Sequence, residues 1–194
     1  MDVREVTLRG RHVVLEPLRV EHVRELWEAA SEPEVWTYMG YVVDAPRDLE
    51  RWVRDRLAAV AAGTALAFVQ RDAATGTAFG STSLFDIERR HRRMEIGHTW
   101  IGRTHRRTAV NTEAKFMLLQ HAFELLDASR VQLKTDAENL RSQAAIERIG
   151  ATREGVLRAW TIDERGKVRD RVFFSILAAE WPDRKARLEA MLRR

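Results

Sequence analysis

Met94–Lys115 reads MEIGHTWIGRTHRRTAVNTEAK, and its period changes partway along. Met94, Ile96, His98 and Trp100 alternate with Glu95, Gly97 and Thr99, the two-residue period of a strand. Asn111, Thr112 and Glu113 are residues that open helices, and the spacing predicts one helix from Asn111 to Leu126. Between the two, Arg103, Arg106 and Arg107 crowd positive charge against that helix start. A helix start already exposes about four unpartnered N–H groups and carries roughly half a positive charge. The crowding is repulsive in an empty protein and favourable when an anion, most often phosphate, occupies the place. The same arginines would otherwise be solvated loop residues.

Working outward, Thr7–Leu18 reads as one strand, and Val20–Ala30 places Val20, Val23, Leu26, Trp27 and Ala30 on one helical face. A second helix covers Asp48–Ala62. Ala65–Gln70 and Thr77–Phe85 form a hairpin joined by a turn at Asp72–Gly76. Val131–Asp136 is a strand and Asn139–Gly150 a helix that stops at its glycine. The segments around ATREGVLRAWTI and DRVFFSIL close as a last hairpin. Residues 1–194 read as one domain, with a tail helix at about 182–194. A mixed sheet covered by helices, an α+β arrangement, follows from this order.

The bulk composition excludes several classes. The 194 residues are 45% hydrophobic and 32% charged, an ordinary globular balance. No apolar run approaches the roughly 18 residues of a membrane span. The opening MDVREVTLRGRH lacks an apolar signal core. The absence of Cys removes disulfides and thiolate metal sites, and no His spacing suggests a metal. A cytoplasmic protein is expected. The pI of about 9.9 reflects dispersed arginine, since the net charge is only +4. A nucleic-acid partner is therefore not expected.

The opening VVLEPLRVEHVRELWE, the strand MEIGHTWI, the segment TAVNTEAKFMLLQHAFE and the stretch LKTDAENLRSQAAIERIGATREGVLR together carry a resemblance. In this order they resemble the GCN5-related N-acetyltransferase (GNAT) family. The likeness is greatest to the branch of ribosomal-protein-alanine N-acetyltransferases and covers about Arg11 to Pro182. It implies a mostly antiparallel, twisted sheet of about seven strands, splayed at the cofactor site and flanked by about four helices. The family's pyrophosphate loop, Gln/Arg-x-x-Gly-x-Gly/Ala, falls on Thr104, His105, Arg106, Arg107, Thr108 and Ala109. Ala109 meets the last position. Arg107 stands where the first glycine is expected, so the loop there either has an ordinary φ or is strained.

The resemblance implies acetyl transfer from acetyl-CoA, with no metal, to a primary amine on a small molecule or a protein N-terminus. It places the coenzyme against Arg106, Arg107, Thr108, Ala109, Val110 and Asn111, with Asn139 and Ser142 beside the pantetheine arm. A backbone N–H of Trp100 or Ile101 would contact the thioester carbonyl, as fixed donors do in an oxyanion hole. Ser142 is the candidate acid for the leaving thiolate. Asn139 reads equally as a plain N-cap and Ser142 as a plain helix residue. Glu95 is the first candidate base, with Asp86 and Glu88 behind it, against an ion pair with one of Arg89–Arg93. Alternation puts His98 on the face opposite Glu95 unless the strand bulges. His105 and His91 lie in basic loops within reach of phosphates. Trp36 and Tyr38, in the aromatic segment Ser31–Tyr41, are candidates for the acceptor wall or for packing. A non-catalytic acyl-CoA or nucleotide-binding module is the rival reading, and a homodimer through the C-terminal hairpin or tail stays open.

Overall fold

The computed structural model describes residues Met1–Arg193; the expected tail helix reaches one residue further, and Arg194 lies outside the described residues. Eight strands are present: β1 (Leu8–Arg9), β2 (Val13–Pro17), β3 (Leu66–Asp72), β4 (Ala78–Glu88), β5 (Arg93–Ile101), β6 (Arg130–Asp136), β7 (Thr152–Ile162) and β8 (Val168–Leu177). Six helices accompany them: α1 (Val23–Ala30), α2 (Pro33–Trp36), α3 (Pro46–Ala61), α4 (Val110–Gln120), α5 (Leu140–Arg148) and α6 (Trp181–Leu192). One sheet holds every strand, in the order β1-β2-β3-β4-β5-β6-β8-β7.

All neighbours are antiparallel except β5 and β6. A parallel pair needs a crossover, and α4 provides it. The pairing is short. Arg93 faces Arg130, Met94 faces Val131 and Glu95 faces Gln132, and there it stops. β5 continues to Ile101 and β6 to Asp136, so the strands part beyond Glu95 and leave a V-shaped opening. α4 begins where one arm of the V ends, and α5 where the other ends.

Apolar alternation builds a core on each face. Met94, Ile96, Val131, Leu133 and Phe174 pack with Ala114, Leu118 and Leu188 from α4 and α6. On the other face Val69, Ala67 and Trp100 pack with Leu26 and Trp52 from α1 and α3. Trp36, Trp52 and Trp100 meet at centroid distances of 5.6 to 6.2 Å.

The counts exceed the expected seven strands and four helices for local reasons. The opening strand folds back on itself, with Leu8 opposite Leu15. Gly10 permits the turn, because a Cβ there would lie 2.4 Å from the Glu113 carboxylate. Pro33 starts the four-residue α2 inside the aromatic segment. The long helix expected to Leu126 gives way after Gln120 to a wider π turn, His121–Leu125.

β5 bulges against β4. The register passes from Ser81–Trp100 to Ser83–Gly97, so His98 and Thr99 together oppose Thr82. His98 takes a φ of 49°, a left-handed value uncommon for a side-chain-bearing residue. The bulge turns His98 onto the face of Glu95, the exception to strict alternation.

Candidate active site

Two helix starts and the free edges of two strands converge on the V. The loop after β5 begins with a 3-10 turn, Arg103–His105, and swings into α4 through Arg107 at φ 63°. The position where a glycine is expected is thus occupied by an arginine in a glycine-like conformation. The loop keeps its tight shape and bears the strain of a left-handed non-glycine residue. Among the described residues, the backbone N–H groups of Arg107, Thr108, Ala109, Asn111 and Thr112 have no protein acceptor. Five open donors at a helix start make a backbone nest, the kind of place that attracts anions.

The three loop arginines divide unequally. Arg106 donates to Glu32 at 3.0 Å and to the Ile101 carbonyl at 2.9 Å. Arg103 pairs with Glu32 and Glu34. Their charge is spent on the α1–α2 connection, so the crowding read from the sequence is largely neutralised within the protein. Arg107 alone of the three is exposed with no ion pair among the described residues. His105 is also engaged: it stacks on Phe79 at 4.1 Å and meets Asp72 at 3.3 Å.

Strand alternation separates the two backbone candidates. Gly102 N–H donates to Phe79 O on β4, and the Trp100 carbonyl accepts from Gln70 on the same side. The backbone groups of Trp100 therefore face β4, and those of Ile101 face the V. Ile101, not Trp100, has its N–H on the open side of β5.

Glu95 sits at the apex of the V and is 2% exposed. Its Oε2 accepts from Gln132 and Lys134, both at 2.8 Å, and its Oε1 makes no hydrogen bond among the described residues. Its ion-pair partner is thus Lys134 of β6, not an arginine of the 89–93 loop. Burial raises the Glu95 pKa, with the charge of Lys134 acting against it. The ring of Phe85 lies against His98 at 4.1 Å and 5.3 Å from the Lys134 ammonium. Burial first, then the positive charges of Arg56 and Lys134, push His98 down to about 3, so its imidazole is neutral.

On the second arm, the Asn139 side chain accepts from Ser142 N–H at 3.0 Å and caps α5. The Ser142 hydroxyl is half-buried and makes no bond among the described residues. Trp36 is a core residue, 6% exposed, whose indole N–H donates to Ala30 O at 2.7 Å. It packs within the aromatic cluster with Trp52 and Trp100, the packing alternative for this residue. Tyr38 is half-buried, and its carbonyl accepts from Arg171, which also meets Asp136 at 3.3 Å.

Two residues of α4 carry roles that local pattern does not signal. Glu113 accepts from the backbone N–H groups of Arg11, His12 and Val13 at 2.8, 2.6 and 2.9 Å. It fastens the start of β2 to the first turn of α4 and so holds the loop. Lys115 is fully buried, and its ammonium donates to Thr99 Oγ1 at 2.7 Å, at the bulge. An unbroken helical period says only that Lys115 faces inward.

With this geometry in view, the comparisons are consistent. Residues 12–152 match the acetyltransferase (GNAT) domain. A Bacillus subtilis protein named "Putative ribosomal N-acetyltransferase YdaF" is 34% identical over 110 residues, spanning 57% of this chain and 59% of that relative's own length. A crystal structure of a GCN5-related N-acetyltransferase from Brucella melitensis superposes with a TM-score of 0.89 at 30% identity, covering 98% of this chain and 86% of that one. Mycobacterium smegmatis RimJ, solved in complex with CoA-disulfide, shares the fold with a TM-score of 0.77 at 24% identity, covering 93% and 90%. The chain belongs to the GNAT acetyltransferase family.

Proposed function

We propose that residues 1–194 form one acetyltransferase domain that moves an acetyl group from acetyl-CoA to a primary amine by direct attack. The observation that carries the proposal is the parting of β5 from β6 at Glu95, beside five open backbone N–H groups at the start of α4. The nest and the Arg107 side chain suit a diphosphate, and the V suits an extended arm laid between two free strand edges. That the RimJ relative binds a CoA derivative supports the same coenzyme here.

In this reading the amine nitrogen attacks the thioester carbonyl, and Ile101 N–H takes the developing oxyanion. Glu95, alone or through a water, removes the ammonium proton. The C–S bond breaks, the thiolate receives a proton from the Ser142 hydroxyl, and the proton that the adduct nitrogen loses returns to Ser142 directly or through water, leaving amide and free thiol. Asn139 holds the start of α5, and Tyr38 borders the acceptor. The name of the Bacillus subtilis relative favours a protein N-terminus as acceptor, and a small amine is the other choice.

The test is thiol release from acetyl-CoA over a panel of amines and N-terminal peptides. Turnover with at least one is expected, with kcat lowered about 100-fold or more in Ser142→Ala, the usual scale of acid catalysis. An unchanged kcat in that variant removes the acid role. Tight coenzyme binding with no thiol release from any amine makes the protein a binding module instead.

A further inference from the structure

On the α3 side of the bulge lies a cavity of about 90 Å³, lined by Arg56, Ser83, Phe85, Asp86 and His98 among others. Nine buried side-chain polar atoms among the described residues lack a partner, and three of them surround this one space: Arg56 Nη1, Ser83 Oγ and His98 Nδ1. A buried polar group left unpaired costs about 1–3 kcal/mol, so three around one hollow mark a place built to be filled.

Arg56 is held in place from its other side. Its Nη2 donates to the Tyr41 hydroxyl at 3.0 Å, and its guanidinium carbon lies 5.3 Å from the Tyr41 ring centroid and 5.2 Å from that of Trp52. It makes no ion pair among the described residues, so a pre-oriented cation keeps one nitrogen free toward the hollow. Ser83 is 1% exposed and can donate its hydroxyl. His98 is fixed against Phe85, and as a neutral imidazole it can present an N–H or a lone pair. Asp55 and Asp86 also line the space, but both are exposed, and water screens them at its mouth.

We propose that this cavity binds a carboxylate carried by the amine acceptor, held by Arg56 with Ser83 and His98. The inference rests on the amine-acetyltransferase reading and narrows its acceptor. An unpaired guanidinium with convergent neutral donors fits a carboxylate better than an ammonium or an apolar group. The space equals roughly three waters, enough for a carboxylate and little more. His98 and Thr99 form the bulge of β5. His98 shares the Glu95 face of β5, so a molecule anchored by its carboxylate here lies on the same face as the proposed base.

Thiol release is compared for β-alanine against propylamine, and for peptides beginning Ala-Asp against Ala-Asn. The first pair tests a free amino acid and the second a peptide's acidic side chain. In the wild type, kcat/KM favours the carboxylate partner of at least one pair. That ratio falls about tenfold or more in Arg56→Gln and is partly restored in Arg56→Lys, as expected for a lost charge-assisted bond. A second readout needs no turnover: sodium acetate shifts the His98 imidazole resonances of the wild type and not those of Arg56→Gln. No preference in either pair, or a ratio unmoved by Arg56→Gln, overturns the proposal. Silent His98 resonances overturn it as well and leave water as the occupant. Thiol release from no amine at all, with His98 still responding to acetate, defeats the acetyltransferase reading while the carboxylate site stands.

Discussion

The Nζ of Lys115 lies 2.7 Å from the Oγ1 of Thr99, and Thr99 Oγ1 lies 2.8 Å from that of Thr82. A helix residue is thereby joined to the bulge of β5 and on to β4, through the wall between the core and the V. Among the described residues no carboxylate pairs with the lysine.

That relationship has a titration consequence. Burial alone pushes Lys115 down to about 7 from its ordinary 10.5. Between those values the unfolded chain binds a proton that the folded protein does not, so stability rises with pH across this window. Below it both states are protonated, and the full cost, on the order of 5 kcal/mol, is present. Lys115→Met is expected to raise the thermal midpoint at pH 7 and to remove the gain in stability from pH 7 to 10.5. Melting curves across that range check it, and an unchanged slope in the variant refutes it.

Glu113 makes its three bonds to backbone donors about 100 residues away in sequence. Glu113→Ala leaves those donors unpaired and is expected to destabilise by roughly 3 kcal/mol. Glu113→Gln turns an amide N–H₂ toward other N–H groups and loses part of the same clamp. Urea unfolding measures both; a loss under about 0.5 kcal/mol, the scale of an ordinary surface change, contradicts the clamp.

Arg107 at φ 63° supports two opposite expectations for one variant. Arg107→Gly relieves a left-handed strain of about 1 kcal/mol and is expected to raise stability. It also removes the one loop guanidinium that makes no ion pair among the described residues, and acetyl-CoA is expected to bind about tenfold more weakly. Calorimetry with the coenzyme decides the second point. Equal or tighter binding by the glycine variant shows that the backbone donors suffice.

If Glu95 is the base, its carboxylate form is the active one. Its pKa is raised, so kcat/KM is expected to climb as pH increases through a point above the ordinary 4.5. Glu95→Gln removes that acid limb along with most of the rate. In Lys134→Met the opposing ammonium is gone, so the limb moves to higher pH. A limb that stays in place in Lys134→Met assigns it to another group.

Much of the molecule was legible because its cause is local. Period-two alternation marks β5, the i, i+3, i+4 apolar face marks α1 and α3, and Gly150 at φ 95° ends α5 as its position suggests. The open backbone donors of the loop between β5 and α4 were legible, because a helix start has open donors wherever it occurs. The partners of the loop charge were not legible. Arg103 and Arg106 read as crowding a helix start or as solvated loop residues, and the carboxylates they pair with, Glu32 and Glu34, lie about 70 residues earlier.

The order of elements, the inward faces and the helix starts belong to the sequence by itself, since each follows from neighbours within a turn or a strand. Where β5 leaves β6, that His98 shares a face with Glu95, and that Glu113 grips β2 were settled only when distant segments packed. A one-residue bulge reverses a side chain's face, and a buried charge takes whichever partner the fold brings near. The cavity at Arg56 is the clearest case, because its lining comes from one helix and three strands that meet only in the folded chain.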